Sequence, residues 1–265
     1  MPWAFSQALA IGGRNEQQDR IAILHAEGTD THLLILADGA GGHGNGALAA
    51  QTVIDTAVAC FTPGATAEPD RLVIDICLAA HQAVIGLPSG GGLPPASTCV
   101  VLLLRSRDAH WAHVGDSRLY LLRGEQTLFQ TEDHSHARFD LHADGARPNK
   151  KLYMSIGAGR EIQPETESVR VDPGDQFLLC SDGFWNQVSI DRVASALAQG
   201  PLDQQTAQGW VDRANRAGGA RADNISLLLA RYLPDSAAGR WDIATRLRAW
   251  LGRMRASRYR RHPNQ

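Results

Sequence analysis

The chain has 265 residues, 43% of them hydrophobic, which suffices for one sizeable core with a short appendage. Its charge is nearly balanced at −2 but unevenly placed: from residue 240 onward eight arginines stand against one aspartate, a net +7, so the first 239 residues carry −9. An acidic body of this kind excludes a nucleic-acid-binding domain, and no apolar run approaches the ~18 residues of a spanning helix. A secretory leader is not recognisable at the N-terminus. The four cysteines, Cys60, Cys77, Cys99 and Cys180, lie inside apolar runs rather than at framework spacings. They read as free thiols of a reducing compartment, so a cytoplasmic location is expected.

In chain order, residues 20–26 and 32–38 read as paired strands. A helix is expected over 45–60, with Ala49, Val53, Ala57 and Cys60 on one face, and a second over 69–87, with Leu72, Ile76, Ala80, Ala83 and Leu87 at helical spacing. The Gly/Pro-rich stretch 87–95 reads as a loop. Strands follow at 97–105, 109–114, 118–122 and 127–130, the last two joined by a turn at Gly124-Glu125. Residues 133–155 are polar and without periodicity and read as an irregular flap. Strands resume at 168–171 and 176–180, helices at 189–199 and 203–217, and a strand closes the series at 223–232. Strands and helices in this order describe an α+β sandwich rather than an alternating βαβ fold.

Three aspartates stand beside apolar strands far apart in the chain: Asp38 after Leu33-Leu34-Ile35-Leu36, Asp182 after Phe177-Leu178-Leu179-Cys180, and Asp223 before Ile225-Ser226-Leu227-Leu228-Leu229. Each alone is compatible with an ordinary turn or cap. Brought together by a folded sheet, they would repel one another and be costly to desolvate, and a shared cation resolves both problems. Oxygen donors without His or Cys at ligand spacing select Mg²⁺ or Mn²⁺ over zinc. Gly39, directly after Asp38, would let its backbone carbonyl approach such an ion. Gly115-Asp116-Ser117-Arg118 breaks two strand-like runs and reads either as a hairpin turn or as a further site. Arg14, in the polar cluster before the first strand, is either solvated or placed to grip a phosphate.

Seven segments in order resemble the PPM family, the metal-dependent type 2C protein serine/threonine phosphatases, in their compact bacterial form. They are Arg14-x-x-Gln17-Gln18-Asp19, Asp38-Gly39-x-Gly41-Gly42-His43, Ser97-Thr98, Val114-Gly115-Asp116-Ser117-Arg118, Thr131-x-Asp133-His134-Ser135, Ser181-Asp182-Gly183 and Asp223-Asn224, and the resemblance covers about residues 6–232. It implies a four-layer αββα sandwich of two antiparallel sheets flanked by helices, with a catalytic domain over 1–234 and a tail over 235–265. It also implies two bridged Mn²⁺ or Mg²⁺ ions: Asp38 bridges them, Gly39 offers its carbonyl to one, and Asp182 and Asp223 complete the ligands of the other. Asp116 matches the residue that holds a third, weaker ion. Arg14 matches the phosphate-binding arginine, and Gln18 and Asp19 would hold waters on the ions. Ser97-Thr98, Ser117 and Arg118 would shape the scaffold.

The implied activity is hydrolysis of phosphoserine and phosphothreonine by metal-activated water. The substrate would be a phosphoprotein of a bacterial serine/threonine kinase, and the enzyme a monomer. A phosphoprotein-binding module of weak turnover and a small-molecule phosphatase are the competing readings. Three positions depart from the family pattern. Ala40 replaces a histidine proposed as general acid in some members, with His43 or a water as the alternative. Gln18 replaces an acid, and Met154 stands where an arginine is common. Lys150 and Lys151, the only lysines, suit either contact with a phosphoprotein or a solvated loop. In the tail, Trp241, Ala244, Leu247, Leu251 and Met254 recur at steps of three and four among arginines. This amphipathic basic helix either packs on the chain's own acidic body or docks on an anionic membrane surface or an acidic partner, a peripheral place at the inner membrane.

Overall fold

The computed structural model describes residues 3–40, 45–62, 64–88, 93–138, 149–159 and 161–233. His43 and the 235–265 tail lie outside the described residues, as do the side chains of Lys150 and Lys151. Thirteen strands and five α-helices are described. In the first half they are β1 (Trp3–Ala10), β2 (Asp19–Ala26), β3 (Thr31–Ala40), α1 (Asn45–Cys60), α2 (Pro69–Ile85), β4 (Ala96–Ser97), β5 (Cys99–Arg105), β6 (Asp108–Val114) and β7 (Arg118–Arg123). The second half continues with β8 (Gln126–Gln130), β9 (Ser135–Arg138), β10 (Asn149–Leu152), β11 (Glu165–Arg170), β12 (Asp175–Cys180), α3 (Asp182–Trp185), α4 (Ile190–Gln199), α5 (Gln204–Gly218) and β13 (Ile225–Tyr232).

Two antiparallel sheets stack. One has the order β1-β13-β12-β7-β8 and the other β11-β6-β5-β3-β2. The central strands are apolar without alternation because both of their faces are covered. On β3, Leu33, Ile35 and Ala37 join Val53, Ala57, Ile76 and Ala80 of α1 and α2 in one core, while Leu34 and Leu36 point the other way and are equally buried. On the second sheet, Leu178, Leu227 and Leu229 pack with Val193, Leu197, Val211 and Ala214 of α4 and α5. Trp111 of β6 and Phe177 of β12, with ring centroids 6.2 Å apart, meet across the space between the sheets. The four layers are those of the expected αββα sandwich.

Local chemistry sets the helix bounds. Pro69 opens α2 with Asp70 in its first turn, and Asp203 caps α5 by accepting the Thr206 amide (2.8 Å). The buried stripe of α2 runs through Leu72, Ile76, Ala80 and Val84; Ala83 is only half-buried, and the helix stops at Ile85, leaving Leu87 beyond it, partly buried against the same core. Three further features differ from the sequence reading. β1 has no counterpart in it: this strand pairs with β13 from Trp3↔Tyr232 to Ala10↔Ile225. The expected strand at 97–105 is interrupted at Thr98, where the Thr98 side chain turns to support β3. The flap at 133–155 is not wholly irregular, since β9 and β10 pair at its base. Met154 beside it packs against the core of α1 and α2.

Candidate active site

The topology alone gathers the aspartates. In the β2–β3 pair Asp19 lies opposite Asp38, so the start of one strand meets the end of the other. β12 ends where β7 begins, with Cys180 opposite Arg118, and β13 begins beside them, with Cys180 also opposite Leu227. The turn from β6 to β7, which carries Asp116, crosses from one sheet to the other at this same end. Asp182 follows β12 as the first residue of α3, and Asp223 shortly precedes β13. Both sheets therefore deliver carboxylates to one end of the sandwich.

Close backbone approach makes the gathering possible, and it requires glycine at two places. A Cβ on Gly39 would lie 2.1 Å from the Gly46 carbonyl oxygen and 2.8 Å from that of Gln18. The glycine thus lets the end of β3 pack against α1, a reason different from access of its carbonyl to an ion. A Cβ on Gly183 would lie 2.0 Å from the Asn224 carbonyl oxygen and 3.3 Å from Asp223 Cβ, so this glycine brings the Asp182 and Asp223 segments together.

Asp38 is fixed through its backbone. Its amide donates to Thr98 Oγ1 (2.9 Å), and its carbonyl accepts from the Thr98 amide (2.8 Å) and the Ser97 hydroxyl (3.0 Å). Thr98 Oγ1 in turn shares a hydrogen bond with Ser117 Oγ (2.7 Å). Ser97, Thr98 and Ser117 serve as scaffold. Asp19 is buried, and its Oδ2 accepts the Ser226 hydroxyl (2.7 Å), joining the two sheets.

The electrostatics are those of carboxylates forced together. Burial, then Asp19, Asp182, Asp116 and Asp223, push the Asp38 carboxyl well above the usual range. Asp182 is pushed up to about 7 by burial, with Asp116 and Asp223 next in effect, and Asp19 to about 6, chiefly by burial. Asp19 Oδ1 is buried without a hydrogen-bond partner. An all-oxygen donor set with an orphaned buried carboxylate oxygen fits hard divalent cations. Among the described residues, these aspartates do not place three donor atoms within 4.8 Å of one another.

The single such tight group among the described residues is His113, His134 and Glu165. It is a poor ligand set, because the Gly115 amide donates to His134 Nδ1 (3.1 Å) and so leaves the proton on Nε2, the atom that faces Glu165 at 3.6 Å.

Arg14 and its loop are threaded around Asn224. The Asn224 side-chain amide donates to the Ile11 and Glu16 carbonyls (2.9 Å each), and its Oδ1 accepts the Gln18 amide (2.8 Å). The loop places Arg14 Nη2 2.6 Å from Asp223 Oδ2, with the two side chains 60% and 40% exposed. The arginine expected to bind phosphate therefore stands at the aspartates, with much of its guanidinium open to solvent. Gln18 Nε2 donates to Glu16 (2.9 Å), and its Oε1 lies beside Gly46, which packs against Gly39. Asn224 and Trp185, whose indole N–H donates to the Asp116 carbonyl (2.9 Å), are the site residues without a role in the sequence reading. The Asp-Asn pairing at 223–224 is the signal for Asn224. Nothing local signals Trp185.

The chain is 34% identical over 218 residues to protein phosphatase PhpP of Streptococcus pneumoniae, covering 74% of this chain and 84% of the relative. It is 31% identical over 210 residues to serine/threonine protein phosphatase PstP of Mycobacterium tuberculosis, covering 75% of this chain and only 40% of that longer protein's length. The structure of the PstP catalytic domain in complex with two manganese ions superposes with a TM-score of 0.69 at 25% identity, over 88% of this chain and 99% of that one. The family model described as protein phosphatase 2C matches residues 10–212. The chain belongs to the protein phosphatase 2C family.

Proposed function

We propose that this chain is a metal-dependent protein phosphatase that hydrolyses phosphoserine and phosphothreonine esters. The convergence of Asp19, Asp38, Asp116, Asp182 and Asp223 from both sheets, with Asp38 and Asp182 raised by burial and by neighbouring aspartates, carries the reading. In it, Asp38, Gly39, Asp182 and Asp223 hold two Mn²⁺ or Mg²⁺ ions and Asp116 a third, weaker one. The ions, when bound, supply Lewis-acid activation of water and offset negative charge on the phosphoryl oxygens.

The chain's own residues do the rest. Ser97, Thr98 and Ser117 hold the Asp38 backbone, and Ser226 orients Asp19 so that its other oxygen is left to hold water. Arg14 at the exposed rim takes the phosphate dianion bidentately. No cysteine serves as nucleophile, since burial pushes the Cys180 thiol up and Cys77 is raised by its buried contact with Cys99. Mn²⁺-dependent hydrolysis of p-nitrophenyl phosphate, lost in EDTA, is expected; its absence in pure protein would favour a phosphoprotein-binding module. Turnover of phosphorylated metabolites and none of phosphopeptides would favour the small-molecule reading.

Arg14→Ala tests the phosphate contact. A charge-assisted bidentate bond is worth about 1.5–3 kcal/mol, so KM should rise about 10- to 100-fold. Inorganic phosphate should inhibit the variant more weakly by a similar factor. Equal inhibition of both proteins would exclude the role.

The reading extends to partners. The substrate is a phosphoprotein made by a bacterial serine/threonine kinase, and the enzyme acts as a monomer in the cytoplasm. Among the described residues no helix is long and apolar enough to cross a membrane. The basic 235–265 segment docks the enzyme on an anionic surface, each arginine adding about 1 kcal/mol at low salt. Ending the chain after Leu233 should leave hydrolysis of a small substrate nearly unchanged and abolish co-sedimentation with anionic vesicles. No co-sedimentation of the full chain at low salt, with lower thermal stability on truncation, would show that the segment packs on the enzyme instead.

A further inference from the structure

The turn that carries Asp116 is held from several sides. The His134 amide donates to the Gly115 carbonyl (2.9 Å), while the Gly115 amide donates to His134 Nδ1 (3.1 Å). Gly115 sits at φ +109, which a side chain would rarely adopt, and a Cβ there would lie 2.6 Å from Thr98 Cγ2. Asp116 itself is gripped through its carbonyl by the indole N–H of Trp185 (2.9 Å). Trp185 is the last residue of α3, and Asp182 is the first. One helical turn therefore carries one carboxylate of the site and holds the backbone of another.

The indole is braced in turn. The Arg118 guanidinium lies 3.5 Å from the Trp185 ring centroid, within cation–π range. Arg118 also donates to both carboxylate oxygens of Asp133 (2.7 and 3.0 Å) and to the Tyr120 hydroxyl (3.1 Å). The Arg118 and Asp133 side chains are only 17% and 12% exposed, so this fork is shielded from water and geometrically defined, unlike an ordinary surface pair.

We propose that Trp185 is a positioning residue that sets Asp116 relative to Asp182, with the Arg118–Asp133 pair fixing its indole. This rests on the reading in which Asp116 holds the third, weaker ion. Indole N–H is a neutral donor with no acid–base chemistry, so through this hydrogen bond it acts on the Asp116 backbone by position and not by proton transfer. The effect is selective. A freed turn weakens the one ion that depends on Asp116 and spares the two that depend on Asp38, Asp182 and Asp223.

The test is calorimetric titration of Mn²⁺ into the full chain, for the parent and for Trp185→Phe, Asp133→Asn and Asp116→Asn. Phenylalanine keeps an aromatic face for Arg118 and deletes the N–H. The two tighter binding events should be unchanged in Trp185→Phe, and the weak event should weaken about three- to tenfold, the loss of one hydrogen bond. Asp133→Asn should weaken it in the same direction, and Asp116→Asn should remove it. A parental weak event in Trp185→Phe, with its loss in Asp116→Asn, would overturn the positioning role while leaving Asp116 a ligand. A weak event that survives Asp116→Asn would instead overturn the ligand reading, and the positioning role with it. Equal weakening of all three events in Trp185→Phe would show a merely structural residue. Thermal unfolding in EDTA reports whether each variant folds. Should Trp185→Phe not fold, a parental weak event in Asp133→Asn overturns the proposal by itself.

Discussion

Asp38→Ala is expected to lower kcat by about 10³-fold or more, a loss of about 4 kcal/mol of transition-state stabilisation, at saturating Mn²⁺. The side chain lies where the raised carboxylates of both sheets converge, and in the proposed site it would hold the metal together with Asp182 and Asp223. Its removal should not unfold the protein. The backbone contacts to Thr98 and Ser97 survive the substitution, and it deletes a buried carboxyl that burial and the neighbouring Asp19, Asp182, Asp116 and Asp223 make costly to ionise. In EDTA the variant should therefore unfold at a temperature equal to or above that of the parent. A variant that kept most of its Mn²⁺-dependent rate would contradict the metal-holding role of Asp38. One that was inactive but unfolded would leave Asp38→Asn, which preserves the shape, to decide in the same assay.

The second large effect is on stability. Asp19 moves from 3.8 to about 6, Asp182 to about 7, and Asp38 in the same direction. Folded-state values above the unfolded ones mean that the folded, metal-free protein holds more protons than the unfolded chain. Its stability is then greatest below about pH 4 with respect to these groups and falls as pH rises through about 6 to 7. The shift of Asp19 alone corresponds to about 3 kcal/mol. In the proposed site Mn²⁺ would take the place of those protons, so the stabilisation it provides should grow over the same window. Urea unfolding with excess Mn²⁺ and with EDTA, at about pH 5 and about pH 7.5, isolates this effect because groups remote from the site cancel in the difference. The Mn²⁺-minus-EDTA difference should be larger at the higher pH by about 3 kcal/mol or more. A difference independent of pH would mean that these carboxylates do not exchange protons for metal.

Much of this architecture can be read from the residues alone. The apolar run at 33–36 is a strand buried on both faces, and the stripe Ala49, Val53, Ala57 is the inward face of α1, because burial periodicity is written directly in the sequence. Asp38, Asp182 and Asp223 are legible as site residues since each adjoins such a strand. β1 is not legible: Trp3–Ala10 is rich in alanine and lies at a sheet edge, and its pairing with β13 is a backbone event across more than 200 residues of chain. The pairing of β9 with β10 likewise depends on register rather than on apolar pattern. Trp185 has no local signature, standing at the end of a single helical turn; only the folded chain brings it to the Asp116 carbonyl. At Gly39 the sequence signals a steric demand but not its source. The neighbour that forbids a side chain there is the Gly46 backbone in α1, a contact set by how the helix packs on the strand end.

Release of inorganic phosphate from a phosphothreonine-containing protein by the purified chain decides whether the gathered carboxylates serve protein dephosphorylation. With Mn²⁺ present, stoichiometric phosphate release and loss of the phosphothreonine are expected, with neither observed in EDTA and both recovered when Mn²⁺ is restored. Undiminished release in EDTA, or none with Mn²⁺ from folded protein, would refute a metal-dependent protein phosphatase.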